Sequence, residues 1–556
     1  MKHYLEYNNE NLDGYCNFID LLSQHVSLYL SSDSPYINGE WDKNYTQFLG
    51  TATLSDHGMN PDELSAEMAD YFKGLVRWHY PYTFYNVKSP VNIYAAATSA
   101  LAMLYDGNLA NDRTCGKMAS AELEVIKYLS EIAGYDTTSS TGYFTFGGTA
   151  TLLNAIKLGI TKADIGSTEA GLSGKYFVIC SEQEHHSIVK CCDWLGIGKR
   201  NCIMIKTQSD STLDIKQAES IIDYKIIHGQ KLAAIILCGG STVQGIIDSI
   251  DEVHQMRERI VKKHKLKYFP HLHVDAVIGW PILFFRDYPF ETNPQHFRAD
   301  AVKLLQRSYL KLESIYLADS FGADFHKTGF CPFISSVFIV KDKKDLLKIS
   351  TNTYTNSQCV HYGEYNPCNY SLETSRPLSG AIAALTVLKT LGKNGMRAEL
   401  TKMSVANLMI RTLLCEFPDF EIINPPALGI NIIFIVKPIA YKYNYDDLAV
   451  LSHTNAYRLA KYIYNFYLYS LCNIGKYHVF FNYISPPNRN VVNNYIGVLQ
   501  MQSFSPLLSE VDVQNLVETL RKIKDDYDKT QLPPNAEFPF LPSKIKYGFK
   551  HPTTHE

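Results

Sequence analysis

The chain carries no surplus of positive charge: 53 Lys and Arg face 56 Asp and Glu over 556 residues, a formal net charge of −3. Such a balance supplies no basic field for nonspecific nucleic-acid or anionic-membrane binding, so the expected partner is a small molecule. No apolar run approaches the ~20 residues that span a bilayer. The opening stretch, MKHYLEYNNENLDGYCNF, lacks the apolar segment behind a basic start that marks a secretory leader, and a cytoplasmic protein is expected. Twelve cysteines include the adjacent pair Cys191 and Cys192 but no CxxC, spacings that fit neither a disulfide framework nor a zinc site. Reduced thiols and no metal are expected. There is no internal repeat and no low-complexity tract.

What is present is ordinary globular material, 46% hydrophobic and 20% charged, long enough for a large core and more than one domain. Residues 1–90 read as an N-terminal helical arm, with helical pieces over Cys16 to Leu30 and Pro61 to Val76. An aromatic stretch from Arg77, RWHYPYTFYNVKSP, is broken at Pro81 and Pro90 and reads as loop. Its Tyr82 and Phe84 are candidates either for packing or for the wall of a substrate pocket.

From Val91 to Gly395 strands alternate with helices, the mark of a large α/β domain with a mostly parallel sheet. Strand ends in this domain carry reactive groups. Gly147, Gly148 and Thr149 precede a helix expected from about Ala150, so backbone N–H groups and the positive end of the helix dipole suit a phosphate. KYFVICS reads as a buried strand with His185 and His186 just beyond it. The strand Leu232 to Cys238 runs into Gly239, Gly240, Ser241 and Thr242, with Asp248 close behind, and HLHVD closes in Asp275. An acid ending an apolar strand is uncommon without a cationic partner.

The run ADSFGADFHKTGF places Lys327 behind His326 in a largely apolar setting. A lysine there reaches water, pairs with an acid, or gives up its charge in covalent chemistry. The strand SSVFIVKD keeps this run in the same domain, and residues 350–371 form a tyrosine-rich loop of lid length. Residues 396–556 read as a smaller α+β domain. Its helices lie near Lys402 to Cys415, apart from the preceding helix closed by Gly392 and Gly395, and over EVDVQNLVETLRKIKDDYD; its strands are INIIFIVKP and YIGVLQMQS, and its tail from Leu532 is interrupted by prolines.

In this order, FGGTATLL, SEQEHHS, GGSTVQGIIDSI, HVDA, ADSFGADFHK and an SR followed by a helix ending in GKNG resemble the group II pyridoxal-phosphate-dependent amino-acid decarboxylases. The resemblance runs from about Arg77 to Gly395. It implies the fold type I architecture: a large domain with a mostly parallel, seven-stranded type of sheet flanked by helices, an N-terminal arm, a smaller C-terminal domain, and a homodimer. It also implies pyridoxal 5′-phosphate as cofactor and decarboxylation of an L-amino acid to the amine, through a Schiff base on Lys327 and a quinonoid intermediate. Aldehyde formation or carbon–carbon cleavage on the same scaffold is the alternative, and a scaffold that binds the cofactor or a partner without turnover is a third reading, against which the retention of both Asp275 and Lys327 argues.

By the same resemblance Asp275 faces the pyridine nitrogen and His185 the ring. Gly148 and Thr149 cradle the phosphate, while Thr242, His326 and Asp324 match further cofactor positions. Asp324 fits a phosphate dianion poorly, because like charges repel, and a bond to backbone or to His326 is expected instead. Asp248 and Arg376 are expected to be structural, the arginine through backbone carbonyls. Tyr362 and Tyr365 are both candidates to return a proton to the substrate. The stretch between Asp275 and Asp319 is longer than in compact relatives and is a candidate to shape the crevice rim.

Overall fold

The computed structural model describes residues 4–39, 44–350, 363–439, 441, 444–445, 453–484 and 497–530. The chain divides into two compact units, residues 1–83 with 470–480, and residues 84–469 with 481–556. The first unit holds the helices Leu12–Ser27, Tyr45–Thr51 and Pro61–Asp70. The last of these starts in a capping box between Asn60 and Glu63, with Pro61 in its first turn where a missing N–H costs nothing.

The second unit is built on a seven-stranded sheet. Its strands are β1 (Thr141–Thr145), β2 (Tyr176–Ser181), β3 (Cys202–Ile205), β4 (Lys231–Cys238), β5 (His271–Asp275), β6 (Ser320–Asp324) and β7 (Ser336–Val340). Their spatial order is β1-β7-β6-β5-β4-β2-β3. The five strands β3, β2, β4, β5 and β6 pair in parallel, while β7 runs antiparallel to both β6 and β1. Strands β2, β5, β6 and β7 are buried along their whole length; β2 and β7 accordingly read as near-continuous apolar runs, while β5 and β6 bury His271, His273, Asp275, Ser320 and Asp324 among their apolar residues. In a parallel sheet the carboxyl ends of successive strands share one edge, so the loops after β2, β4 and β5 open on the same side.

Helices cover the sheet. The helix Gly148–Ala163 buries 11 of its 16 residues and packs against β4, β5 and β6. The helix Ser379–Leu414 is continuous in hydrogen bonding except at Gly392, whose φ of +61° breaks the helical path. The sequence led to two helices there, separated at Gly392 and Gly395; they abut across that glycine instead. The long stretch after Asp275 begins in the core, while residues 291–300 are part-buried or exposed. Trp280 and Phe285 are fully buried, and Arg286 donates to the carbonyls of Ile132 and Ala133.

The same unit carries an antiparallel four-stranded sheet in the order β10-β11-β9-β8, formed by β8 (Phe420–Ile422), β9 (Asn431–Val436), β10 (Asn482–Ile484) and β11 (Val498–Gln502). The helix Glu510–Lys529 begins in a capping box of Ser509 and Asp512. The proline-interrupted tail and Tyr362 lie outside the described residues. Among the described residues no helix is long and apolar enough to cross a membrane.

Candidate functional site

Lys327 sits in a single helical turn, Phe325–Thr328, immediately after β6. The turn is pinned from several sides. Phe325 N–H donates to the Ser335 carbonyl, Thr328 Oγ1 to the Ile278 carbonyl, and Ser89 N–H to the Lys327 carbonyl. Trp280 Nε1 donates to the Asp324 carbonyl at 3.3 Å and lies against Phe325, with ring centroids 4.4 Å apart. Lys88, itself buried, donates through Nζ to the carbonyls of His326 (2.9 Å) and Cys331 (2.8 Å). A lysine on so fixed a backbone presents its amine with little freedom, which favours covalent chemistry over a wandering surface charge.

Nζ of Lys327 lies 3.0 Å from Oδ2 of Asp324. Asp324 is almost fully buried; its Oδ1 accepts from Ser336 Oγ at 2.6 Å, and His326 Nε2 is 3.5 Å from its Oδ2. The expected bond to His326 is not formed at that distance, and the partner of Oδ2 is the lysine, as an ion pair. Oδ2 also faces the helix Gly148–Ala163: a Cβ on Gly148 would stand 2.9 Å from it and 3.2 Å from Val277 Cγ1. Only glycine permits that approach. The helix begins two residues earlier than expected, at Gly148 rather than Ala150, and no side chain caps it at Gly147. Its first amides therefore lack intrahelical acceptors and suit an anion.

Asp275 closes β5 in register with Cys238 of β4. It is buried, accepts from the Val277 amide at 3.3 Å, and is hydrogen-bonded to Glu184. Burial raises its pKa, and the nearby Lys327 ammonium opposes that rise. His185 follows β2. Its Nδ1 lies 2.7 Å from Ser187 Oγ and accepts the Ser187 amide at 3.3 Å, which puts the proton of the neutral ring on Nε2. Burial, with help from Lys327 and His186, pushes His185 down to about 4, so the imidazole is neutral near pH 7. The rings of His185 and His186 stack with centroids 5.2 Å apart. Beside them a cavity of about 310 Å³ is lined by Thr149, His185, His186, Phe146 and Trp194 among others.

Lys327, Asp324, His326, Gly148, Asp275 and His185 thus converge, with Thr149 at the helix start. Other candidates are placed differently. The Thr242 carbonyl accepts from the side-chain amide of Gln502 at 3.2 Å and the Val243 carbonyl from that of Gln500 at 2.9 Å, tying the loop after β4 to the four-stranded sheet. Phe84 is 1% exposed and belongs to the core, its carbonyl accepting from Gln502 N–H. Tyr82 belongs to the other compact unit.

The Tyr365 hydroxyl donates to Glu122 Oε2 at 2.5 Å and is 3.1 Å from an Arg376 guanidinium nitrogen. Arg376 bonds the Phe144 and Leu109 carbonyls, as expected, and pairs with Glu122, which was not. Asp248 is structural: its two oxygens accept from the Leu213 and Cys238 amides, and burial lifts its pKa to about 6. Three residues escaped sequence reading. Glu122 gave no signal, Ser336 looked like any strand serine, and Glu184 stood in plain view next to His185.

The residues fit a phosphorylated pyridine aldehyde: an uncapped helix start for the phosphate, a buried carboxyl at a strand end for a ring N–H, and a fixed amine for the carbonyl carbon. The one discordant group is the Asp324 carboxylate against the helix start.

The model of the pyridoxal-dependent decarboxylase conserved domain matches residues 54–437. The acidic amino acid decarboxylase GADL1 of Xenopus tropicalis is 22% identical over 418 residues, covering 74% of this chain and 76% of that protein. Mouse CSAD in apo form superposes with a TM-score of 0.76 at 17% identity, over 92% of this chain and 98% of that one. Oryza sativa TDC, crystallised with PLP and tryptamine, gives 0.74 at 15% identity, over 95% and 99%.

Proposed function

The chain belongs to the pyridoxal-dependent decarboxylase family, and from that premise we propose that it converts an L-amino acid to the corresponding amine and carbon dioxide. The observation that carries this reading is the convergence of Lys327, Asp275 and His185 around the Gly148 helix start. Bound pyridoxal phosphate supplies the electron sink for the pair left behind when the carboxylate departs.

In this reading Lys327 would hold the cofactor through Nζ. Asp275 accepts the ring N–H; a hydrogen bond to an ionised group of this kind contributes about 1.5 to 3 kcal/mol. His185, neutral and protonated on Nε2, packs on the ring and can hand on a proton. The amides of Gly148 and Thr149 would receive the phosphate, with His326 beside them; Thr242 is left to the wall of the loop after β4. Asp324 pairs with Lys327 until the cofactor arrives.

Tyr365 is assigned to the buried frame, since its hydroxyl is engaged by Glu122 and Arg376. Return of a proton to the substrate α-carbon then falls to Tyr362. The cofactor is assigned to residues 91–395 and the smaller domain to 396–556. A homodimer is supported by an apolar face on the helix Ile93–Tyr105, where Ile93, Tyr94 and Met103 are each more than half exposed. Free thiols at every described cysteine fit a reducing, cytoplasmic setting.

The test is a panel of L-amino acids, acidic, aromatic and 2,4-diaminobutyrate included, assayed for carbon dioxide and for the organic product. Amine in one-to-one yield with carbon dioxide supports the reading. Aldehyde with peroxide, or no carbon dioxide from any substrate, overturns it.

A further inference from the structure

Glu184 is a second acid at the base of the site, one residue before His185, and none of the roles above uses it. Its side chain is buried and hydrogen-bonded to Asp275. Oε1 accepts the His185 amide at 2.8 Å, and Oε2 is 3.5 Å from Cys238 Sγ, the residue paired with Asp275 across β4 and β5. The contact was hidden in the sequence because 91 positions separate Glu184 from Asp275 (275 − 184). Pairing of adjacent parallel strands closes that gap.

Two carboxylates have only acceptor atoms, so a hydrogen bond between them requires one proton on the pair. The groups around the pair decide which acid carries it. Asp248 adds negative charge at Glu184, and its own carboxylate accepts from the Leu213 and Cys238 amides. Asp324 adds negative charge at Asp275, and His185 is neutral near pH 7. Lys327 is the cation acting on Asp275, and it favours the ionised form there. Among the described residues no cation is recorded acting on Glu184; burial first, and Asp275 next, hold its pKa well above the usual carboxylate range. The proton therefore belongs on Glu184.

We propose that Glu184 is a positioning residue for the cofactor: it stays protonated and donates its carboxyl O–H to Asp275, keeping Asp275 the ionised acceptor for the cofactor's ring nitrogen. The inference rests on the assignment of Asp275 to that nitrogen. A donor on one side of Asp275 and the Val277 amide on another fix the carboxylate plane, as outer hydrogen bonds fix the ligands of a metal.

The experiment has two parts. Infrared difference spectra of the cofactor-free protein at pH 8 should show a protonated-carboxyl stretch in the wild type that is missing in Glu184→Gln. No such band, or an undiminished band in the variant, overturns the proposal whatever Asp275 does with the cofactor.

Pyridoxal phosphate is then titrated into the cofactor-free proteins between pH 6 and 9, with melting curves to confirm folding. Glu184→Gln keeps an N–H donor and should bind within about twofold of wild type with the same pH profile, while Glu184→Ala should bind about tenfold more weakly. Equal weakening in both variants, or wild-type binding in Glu184→Ala, contradicts the donor role. Asp275→Ala separates the two claims: wild-type cofactor affinity and absorbance in that variant would remove the assignment of Asp275, while the infrared result on Glu184 stays independent.

Discussion

The carboxylate of Asp324 stands 3.0 Å from the amine of Lys327 and presses the same oxygen toward the uncapped start of the Gly148 helix. One acid therefore touches both the amine and the anion site. With the cofactor absent it neutralises the lysine; with a phosphate at the helix start it repels.

Replacing Asp324 with Asn keeps a partner for Ser336 and removes the charge. Asp324→Asn should bind inorganic phosphate and pyridoxal phosphate more tightly, by about tenfold or 1.4 kcal/mol. The cofactor-free protein should lose about 1 to 3 kcal/mol of stability with its ion pair gone. Calorimetric titration and urea unfolding read the two effects. Unchanged or weaker phosphate binding would count against an anion site at Gly148.

Of the two candidate tyrosines, Tyr365 is held in the buried frame. Tyr365 is tied to Glu122 and Arg376, so Tyr365→Phe should cost about 1 to 2 kcal/mol of stability and leave the rate of amine formation within about twofold. Glu122→Ala strands the buried Arg376 guanidinium and should cost about 3 to 5 kcal/mol. Tyr362→Phe should instead cut amine yield sharply without a change in melting. Loss of turnover in Tyr365→Phe at an unchanged melting temperature would reverse the assignment.

Lys88 gives a pH signature. Burial pushes its pKa down to about 8 from the ordinary 10.5. Between those values the unfolded chain holds a proton that the folded protein has released, so stability rises with pH across that window. The gain over Lys88→Met should grow from pH 8 to 10.5 and approach about 3 kcal/mol. Urea unfolding of both proteins at pH 7.5 and 10 checks it; a difference independent of pH would show that Lys88 is not desolvated.

The groups that ended strands were legible in the sequence. Asp275, His185 and Thr242 each follow an apolar run, and in a parallel sheet such ends collect on one edge whatever the loops between them do. Gly148 and Lys327 were legible for the same reason, one opening a helix and the other following β6. Contacts that depend on which strands become neighbours were not. Glu184 meets Asp275 only because β2 and β5 flank β4. Glu122 meets Arg376 across 254 positions of sequence. The Asp324–Lys327 pair depends on a local detail: the turn Phe325–Thr328 is helical and brings residues three apart together.

The central claim is that Lys327 carries the cofactor. Borohydride reduction of the purified holoprotein fixes the bond between cofactor and lysine, and peptide mass mapping then locates it. The account predicts a pyridoxyl group on the peptide containing Lys327, and none in Lys327→Ala. A label on Lys88, or on any other lysine with Lys327 unmodified, would contradict it.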